Sequence, residues 1–236
     1  MGGVVSGRSA GGAVAPRTGF LAALTPVELA DLEAQAHPRR FAKGSTLVGE
    51  GEIPRRVVIL VDGRVKVSHF AADGREVVLT ARGPGELIGE ISVVDGRPCS
   101  ATVTAFEPVD ALVVDAAAFT RYLDEHPRVT RLLLSAIVQK LRDSDRKRVE
   151  FGTHDTEGRV ARRLVELAEE YGRPADRGVS ITLPLTQQEL AGWTSASREA
   201  VSKALGSLRA CGWVSTDRRR VTVLDIEALR RRASSF

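Results

Sequence analysis

Up to about Asp115 the apolar residues of this 236-residue chain come in short alternating runs broken by turns, and from Ala116 onward they recur at intervals of three and four. Alternation puts apolar side chains on one face of a strand, and a period near 3.6 puts them on one face of a helix. The first half must therefore bury a sheet and the second a set of helices. "LTPVELADLEAQA" opens the first half as a short amphipathic helix, with Thr25 as cap and Pro26 in the first turn. "VVILVDGRVKVSHF" and "AADGREVVLTA" follow as β-rich stretches, with tight turns at Asp62-Gly63 and Asp73-Gly74, and "ATVTAFEPVDALVVD" continues the alternation. Strands at this spacing predict a small barrel or jelly roll.

In the second half, Pro127 marks a helix start. Leu134, Ile137, Leu141, Ser144, Arg148 and Phe151 form a seam at spacings of three and four. Such a seam suits two helices packed side by side, and burial against its own domain is the competing reading. Self-association is expected, and the polar Ser144 within the seam is a candidate ligand contact. "THDTEGRVARRLVELAEEYG" begins the next segment, with Asp155 as N-cap and Gly172 as stop, and "VSITL" reads as a strand. Thr186 caps a short helix in a capping box with Glu189. After a four-residue turn, Ser197 caps a second helix with Ala200, Val201, Ala204, Leu205 and Leu208 on its inner face. "WVSTDRRRVTVLD" folds back as a hairpin, which completes a winged helix-turn-helix.

Composition narrows the class. No apolar run approaches the roughly 18 residues of a membrane span. From Thr186 to the end, nine Lys/Arg stand against five Asp/Glu, a surplus equal to the +4 of the whole chain. A basic end on a neutral body points towards nucleic acid, with a solvated charged surface as the alternative. Two cysteines, Cys99 and Cys211, and four scattered histidines give no metal-ligand set, and the thiols read as reduced, cytoplasmic ones. There is no Ser/His/Asp or Cys/His order and no Walker loop, so no catalytic residue is assigned; Glu86 and Glu90 beside a turn read as surface or ligand contacts. The Gly/Ser/Ala-rich residues 1–18 read as a disordered tail that formally fits a myristoylation pattern without a polybasic partner.

The segments "KGSTLVGEG", "VDGRVKVS", "DGREVVL", "PGELIGEISVVDGRP-SATV", "EGRVARRLVELA" and "LTQQELAGWTSASREAVSKAL" occur in this order over nearly all of residues 20 to 228. Together they resemble the cyclic-AMP receptor protein / fumarate-nitrate regulator (Crp/Fnr) superfamily of bacterial transcription factors. The resemblance implies an α+β chain: a cyclic-nucleotide-binding-like β-roll (19–126), a long dimerisation helix (127–152) and a C-terminal winged helix-turn-helix (153–236). It implies a homodimer on pseudo-palindromic double-stranded DNA, RNA polymerase as a further partner, and no membrane. By the same resemblance Arg198, Glu199 and Lys203 read bases from the helix that Ser197 caps. A guanidinium suits guanine O6 and N7, a carboxylate suits cytosine N4, and lysine in place of the more usual arginine reads more loosely. Thr186 and Gln187 would position phosphates, and Arg218, Arg219 and Arg220 would add backbone contacts from the hairpin tip. Ser195 stands where the turn usually has glycine, and a positive φ there would cost about 1 kcal/mol.

Members that bind cyclic nucleotides carry Arg-Ser/Thr-Ala after a Gly-Glu pair. Here Gly89, Glu90, Ser100 and Ala101 match, and Cys99 replaces the arginine that neutralises the phosphate. A lost hydrogen bond to a charged group costs about 1.5–3 kcal/mol, or roughly 10- to 100-fold in affinity. Arg97, two residues back, is a candidate replacement, although Pro98 perturbs the path. On the long helix Ser144 keeps a hydroxyl, and Asp145 stands where serine or asparagine is more usual. Three readings stay open: weak cAMP binding through Arg97, another ligand such as a cyclic dinucleotide, or no nucleotide at all. Cys99 is expected to act as a small apolar-like residue rather than a redox thiol. A non-transcriptional nucleotide-binding module is the alternative function.

Overall fold

The computed structural model describes residues 19–71, 74, 76–151, 155–183, 185–217 and 220–234, with backbone alone for 143–151. The expected tail and the Asp73 turn residue lie outside the described residues. The chain begins with α1 (Gly19–Ala22) and α2 (Pro26–Ala34), the latter held by a full capping box between Thr25 and Glu28. Eight strands follow: β1 (Ala36–Phe41), β2 (Thr46–Val48), β3 (Arg56–Asp62), β4 (Val65–Phe70), β5 (Glu76–Arg82), β6 (Leu87–Ile88), β7 (Thr102–Ala105) and β8 (Val109–Asp115). The short α3 (Glu90–Asp95) lies between β6 and β7. They form two antiparallel four-stranded sheets, in the orders β1-β8-β3-β6 and β2-β7-β4-β5, which is the expected β-roll.

The apolar run of β3 explains its place. Val58 and Leu60 point into the roll with Phe41, Leu47 and Val109, while Val57 and Ile59 pack outward against α2 and the helices after β8. A strand buried on both faces reads as continuous hydrophobicity rather than alternation. β1 was not foreseen: "AHPRRF" carries a proline and two arginines, which suits its position at the sheet edge.

α4 (Ala116–Glu125) is followed by the long α5 (Pro127–Phe151). Val129 and Leu133 bury against the roll, and Ile137 packs beside them. Leu134, Val138 and Leu141 are exposed. The seam therefore divides: Ile137 belongs to the chain's own core, whereas Leu134 and Leu141 face outward with Val138. The side chains of Ser144, Arg148 and Phe151 lie outside the described residues.

Beyond α5 come α6 (Thr156–Tyr171), β9 (Gly172–Pro174), β10 (Val179–Ile181), α7 (Gln187–Thr194), α8 (Arg198–Ala210), β11 (Val214–Asp217), β12 (Arg220–Val223) and α9 (Ile226–Ser234). α6, α7 and α8 pack around Leu164, Leu190 and Leu205, and β11-β12-β10-β9 forms the wing sheet. The turn between α7 and α8 is Ser195–Ser197, one residue shorter than expected.

This core runs on into the roll. Val78, Ala81 and Phe106 share one hydrophobic cluster with Trp193 and its neighbours, and the Phe106 and Trp193 rings meet edge-on at 6.0 Å. Arg64 pairs with Glu107 at 2.7 Å and donates to the Thr182 hydroxyl at 2.7 Å. Gly192 lies so near β5 that an added Cβ would come within 2.9 Å of the Glu76 carbonyl oxygen.

Candidate functional site

Two places carry the residues singled out above. In the first, α8 starts at Ser197, whose hydroxyl accepts from the Ala200 N–H at 3.1 Å. Val201, Ala204, Leu205 and Leu208 bury one face, and Arg198, Glu199 and Lys203 stand exposed on the other. The Glu199 carboxyl is held below its ordinary range, first by its own backbone N–H and then by the Ser197 hydroxyl. It is therefore an ionised acceptor at neutral pH. Gln187 is exposed at the start of α7. Thr186 spends its donors internally: its N–H and hydroxyl donate to Glu189 at 2.7 and 2.8 Å. Arg220 is exposed at the start of β12, and Arg218 and Arg219 lie outside the described residues. Ser195 has φ 47° and ψ 44°, the one non-glycine positive φ among the described residues. This is the strained turn that the sequence suggested.

The basic C-terminus is only partly free. Arg230 pairs with Glu169 and Glu227, and Arg232 with Asp155 and Glu157, so these cations fasten α9 to α6. The charge surplus does not translate directly into a nucleic-acid surface.

The second place is the ligand cassette. Gly89 has φ +84°, and an added Cβ would meet the Arg56 carbonyl oxygen at 3.1 Å, so glycine lets the chain turn from β6 into α3. That turn buries Glu90, which is 3% exposed. Cys99 is clamped opposite: its N–H donates to the Glu52 carbonyl at 2.8 Å and its own carbonyl accepts from the Gly51 N–H at 2.7 Å. Its side chain is buried among Val48, Ile88 and Val103, as an apolar residue's would be. Gly89, Glu90, Cys99, Ser100 and Ala101 line one cavity of about 130 Å³, together with Arg82 and Lys140.

Arg97 does not line it. This side chain is exposed, and its backbone N–H donates to Asp95 at 2.9 Å in the turn that leads to Pro98. Arg82 and Lys140 were missed. Lys140 lies one helical turn before Ser144, so the i,i+4 rule places it on the same face. It donates to Glu90 Oε1 at 2.5 Å, and Arg82 donates to Glu86 Oε1 at 2.9 Å. Glu86 and Glu90 thus serve different cations and do not form a paired acid and base. Both cations of the cavity are neutralised within the protein. Among the described residues there is no cluster of His, Cys, Asp or Glu that could hold a metal, and no helix is long and apolar enough to cross a membrane.

Residues 38–126 match the cyclic nucleotide-binding domain family and residues 158–232 the Crp-like helix-turn-helix domain. The chain is 34% identical to the CRP-like cAMP-activated global transcriptional regulator of Mycobacterium tuberculosis, over 92% of this chain and 97% of that one. The chain belongs to the Crp/Fnr family of bacterial transcription regulators. Transcriptional regulator LdrP of Thermus thermophilus is 31% identical over 84% of this chain and 97% of its own. A crystal structure of a CRP-family transcriptional regulator, also from Thermus thermophilus, superimposes with a TM-score of 0.73 at 28% identity, covering 84% of this chain and 97% of that one. The roll, long helix and helix-turn-helix of this Crp/Fnr chain are those of that family.

Proposed function

We propose that this regulator is a cytoplasmic homodimer that reads pseudo-palindromic duplex DNA through α8, with RNA polymerase as a further partner. The observation that carries the reading is the division of α8: four buried apolar residues fix the helix, and Arg198, Glu199 and Lys203 are left exposed at its N-terminal end. A helix presented this way lays its first turns against base edges in the major groove. Gln187 and Arg220 flank it as phosphate contacts, and the donors of Thr186 remain with its capping box. The outward Leu134, Val138 and Leu141 of α5 supply the apolar surface for a second copy, which sets two α8 helices on one DNA face.

In the cassette the reading is weak cAMP binding or none. Cys99 brings no charge to a phosphate, Arg97 is exposed and does not line the cavity, and Lys140 already holds Glu90. The cavity of about 130 Å³ is below the roughly 300–1,000 Å³ of small-molecule sites. A nucleotide would need the cavity to widen, and the Lys140–Glu90 pair is one of its walls.

The test is fluorescence anisotropy on a duplex selected by the protein itself from random sequences, with and without cAMP. A palindromic consensus bound by wild type and lost in Arg198→Ala supports the reading. Equal binding by Arg198→Ala would overturn base reading through this residue, and failure of the selection to yield any bound duplex would favour the non-transcriptional alternative. Calorimetric titration of nucleotide-free protein with cAMP reads the cassette separately.

A further inference from the structure

A second cavity also borders Cys99. It measures about 340 Å³ and is lined by Glu52, Ile53, Pro54, Arg55, Arg56 and Cys99, with Val48 at the wall that it shares with the cassette cavity. Cys99, like Val48, lines both spaces.

This cavity is larger than the cassette cavity and differs in its charges. Arg82 and Lys140 are each tied to a carboxylate, whereas neither Arg55 nor Arg56 forms an ion pair among the described residues. Arg56 is nevertheless held in place, because one guanidinium nitrogen donates to the Leu47 carbonyl at 3.2 Å. The carbonyl of Arg55 accepts from the Ala116 N–H at 2.9 Å, so the backbone beneath both side chains is fixed. The one lining acid, Glu52, has its carboxylate over Gly49, where an added Cβ would come within 2.7 Å of Oε1. Two guanidiniums against one carboxylate leave the cavity net positive. The apolar part of the wall is Val48, Pro54 and Ile53, and Ile53 is 71% exposed.

We propose that this cavity binds a small molecule carrying a phosphate or carboxylate group beside an apolar portion. The Arg55 and Arg56 forks take the anion, and Ile53, Pro54 and Val48 cover the rest. Guanidinium geometry matches both anions in bidentate fashion, and the volume falls within the range of small-molecule sites, about 300–1,000 Å³. The cysteine contributes to the wall without adding a charge.

Phenyl phosphate and benzoate are the probes, with benzyl alcohol as the uncharged control, on the full chain carrying Cys211→Ser. Calorimetry measures affinity, alkylation of Cys99 by the neutral reagent iodoacetamide reports occupancy beside this side chain, and the Arg55→Ala and Glu90→Gln variants assign it to one cavity or the other. The expected result is binding of at least one anion, none of the alcohol, and slower alkylation of Cys99 when the anion is bound. Which anion binds more tightly separates phosphate from carboxylate chemistry. Arg55→Ala, at an exposed position, should weaken binding about tenfold or more and abolish the protection. Glu90→Gln should leave both unchanged. Unaltered affinity in Arg55→Ala overturns the proposal, as does failure of both anions to bind at millimolar concentration. An effect of Glu90→Gln alone would place the anion in the cassette instead.

Discussion

The Lys140 ammonium donates to Glu90 Oε1 at 2.5 Å across 50 residues of sequence, joining the long α5 to the start of α3. The carboxylate side chain is 5% exposed and the lysine side chain 25%, so the contact is largely withdrawn from water. One residue of the ligand cassette is thus occupied by the helix whose outward face is proposed to meet the second copy.

Removing the lysine should therefore destabilise the chain. Lys140→Met leaves Glu90 buried without its partner, and such losses cost about 3 kcal/mol or more. Urea unfolding should show this loss, and Lys140→Met with Glu90→Gln should recover part of it. Equal losses in the single and double variants would mean that the pair is not coupled.

Arg198→Ala should separate reading from folding. Its side chain is exposed, so the unfolding midpoint should stay within about 0.5 kcal/mol of wild type. Affinity for the selected duplex should fall by about 1–3 kcal/mol, with preference relaxed at one base pair of each half-site. Lys203→Ala should relax preference less, since an ammonium reads without a planar fork.

The acid limb of stability should depend on Glu28. The hydrogen bond from Arg128, reinforced by the Thr25 N–H, holds this carboxyl at about 2 against an ordinary 4.5. A lowered folded pKa gives stability that is complete above 4.5 and disappears as pH falls through about 2. Glu28→Gln should flatten the decline of stability across that window, as read by denaturant unfolding at successive pH values.

Leu134→Asp with Leu141→Asp should keep the chain folded, because both side chains face outward. The variant should sediment as a monomer and lose binding to the full palindrome. A dimer that survives both charges would place self-association elsewhere.

At Ser195 the backbone sits at φ 47°. Relief of about 1–2 kcal/mol of left-handed strain, set against the greater freedom of unfolded glycine, should make Ser195→Gly more stable by about 0.5–1 kcal/mol. Ser195→Val should go the other way. Thermal unfolding resolves both.

What was legible in the sequence was local. The caps at Thr25, Thr186 and Ser197 connect residues three apart, so the pattern alone identified them. The strand alternation and the inner face of α8 are short-range in the same sense. What escaped notice was set by distant partners. Arg230 and Arg232 read as free basic charge until α9 is placed against the acids of α6. Arg97 lies two residues from Cys99, yet the turn before Pro98 carries it to the surface, while Arg82, Lys140, Arg55 and Arg56 arrive at the cavities from other elements. α3 is too short to show a period.

Gly192 and its neighbours set a limit on recombination between relatives. The strand β5 approaches this glycine more closely than any side chain permits, Trp193 rests on Phe106, and Arg64 reaches Thr182. A chimera that grafts a foreign helix-turn-helix after α5 brings a mismatched underside to this contact, unless residues 64, 76, 78, 81 and 106 travel with it. The two halves of the chain form a matched set, although each is built on its own sheets.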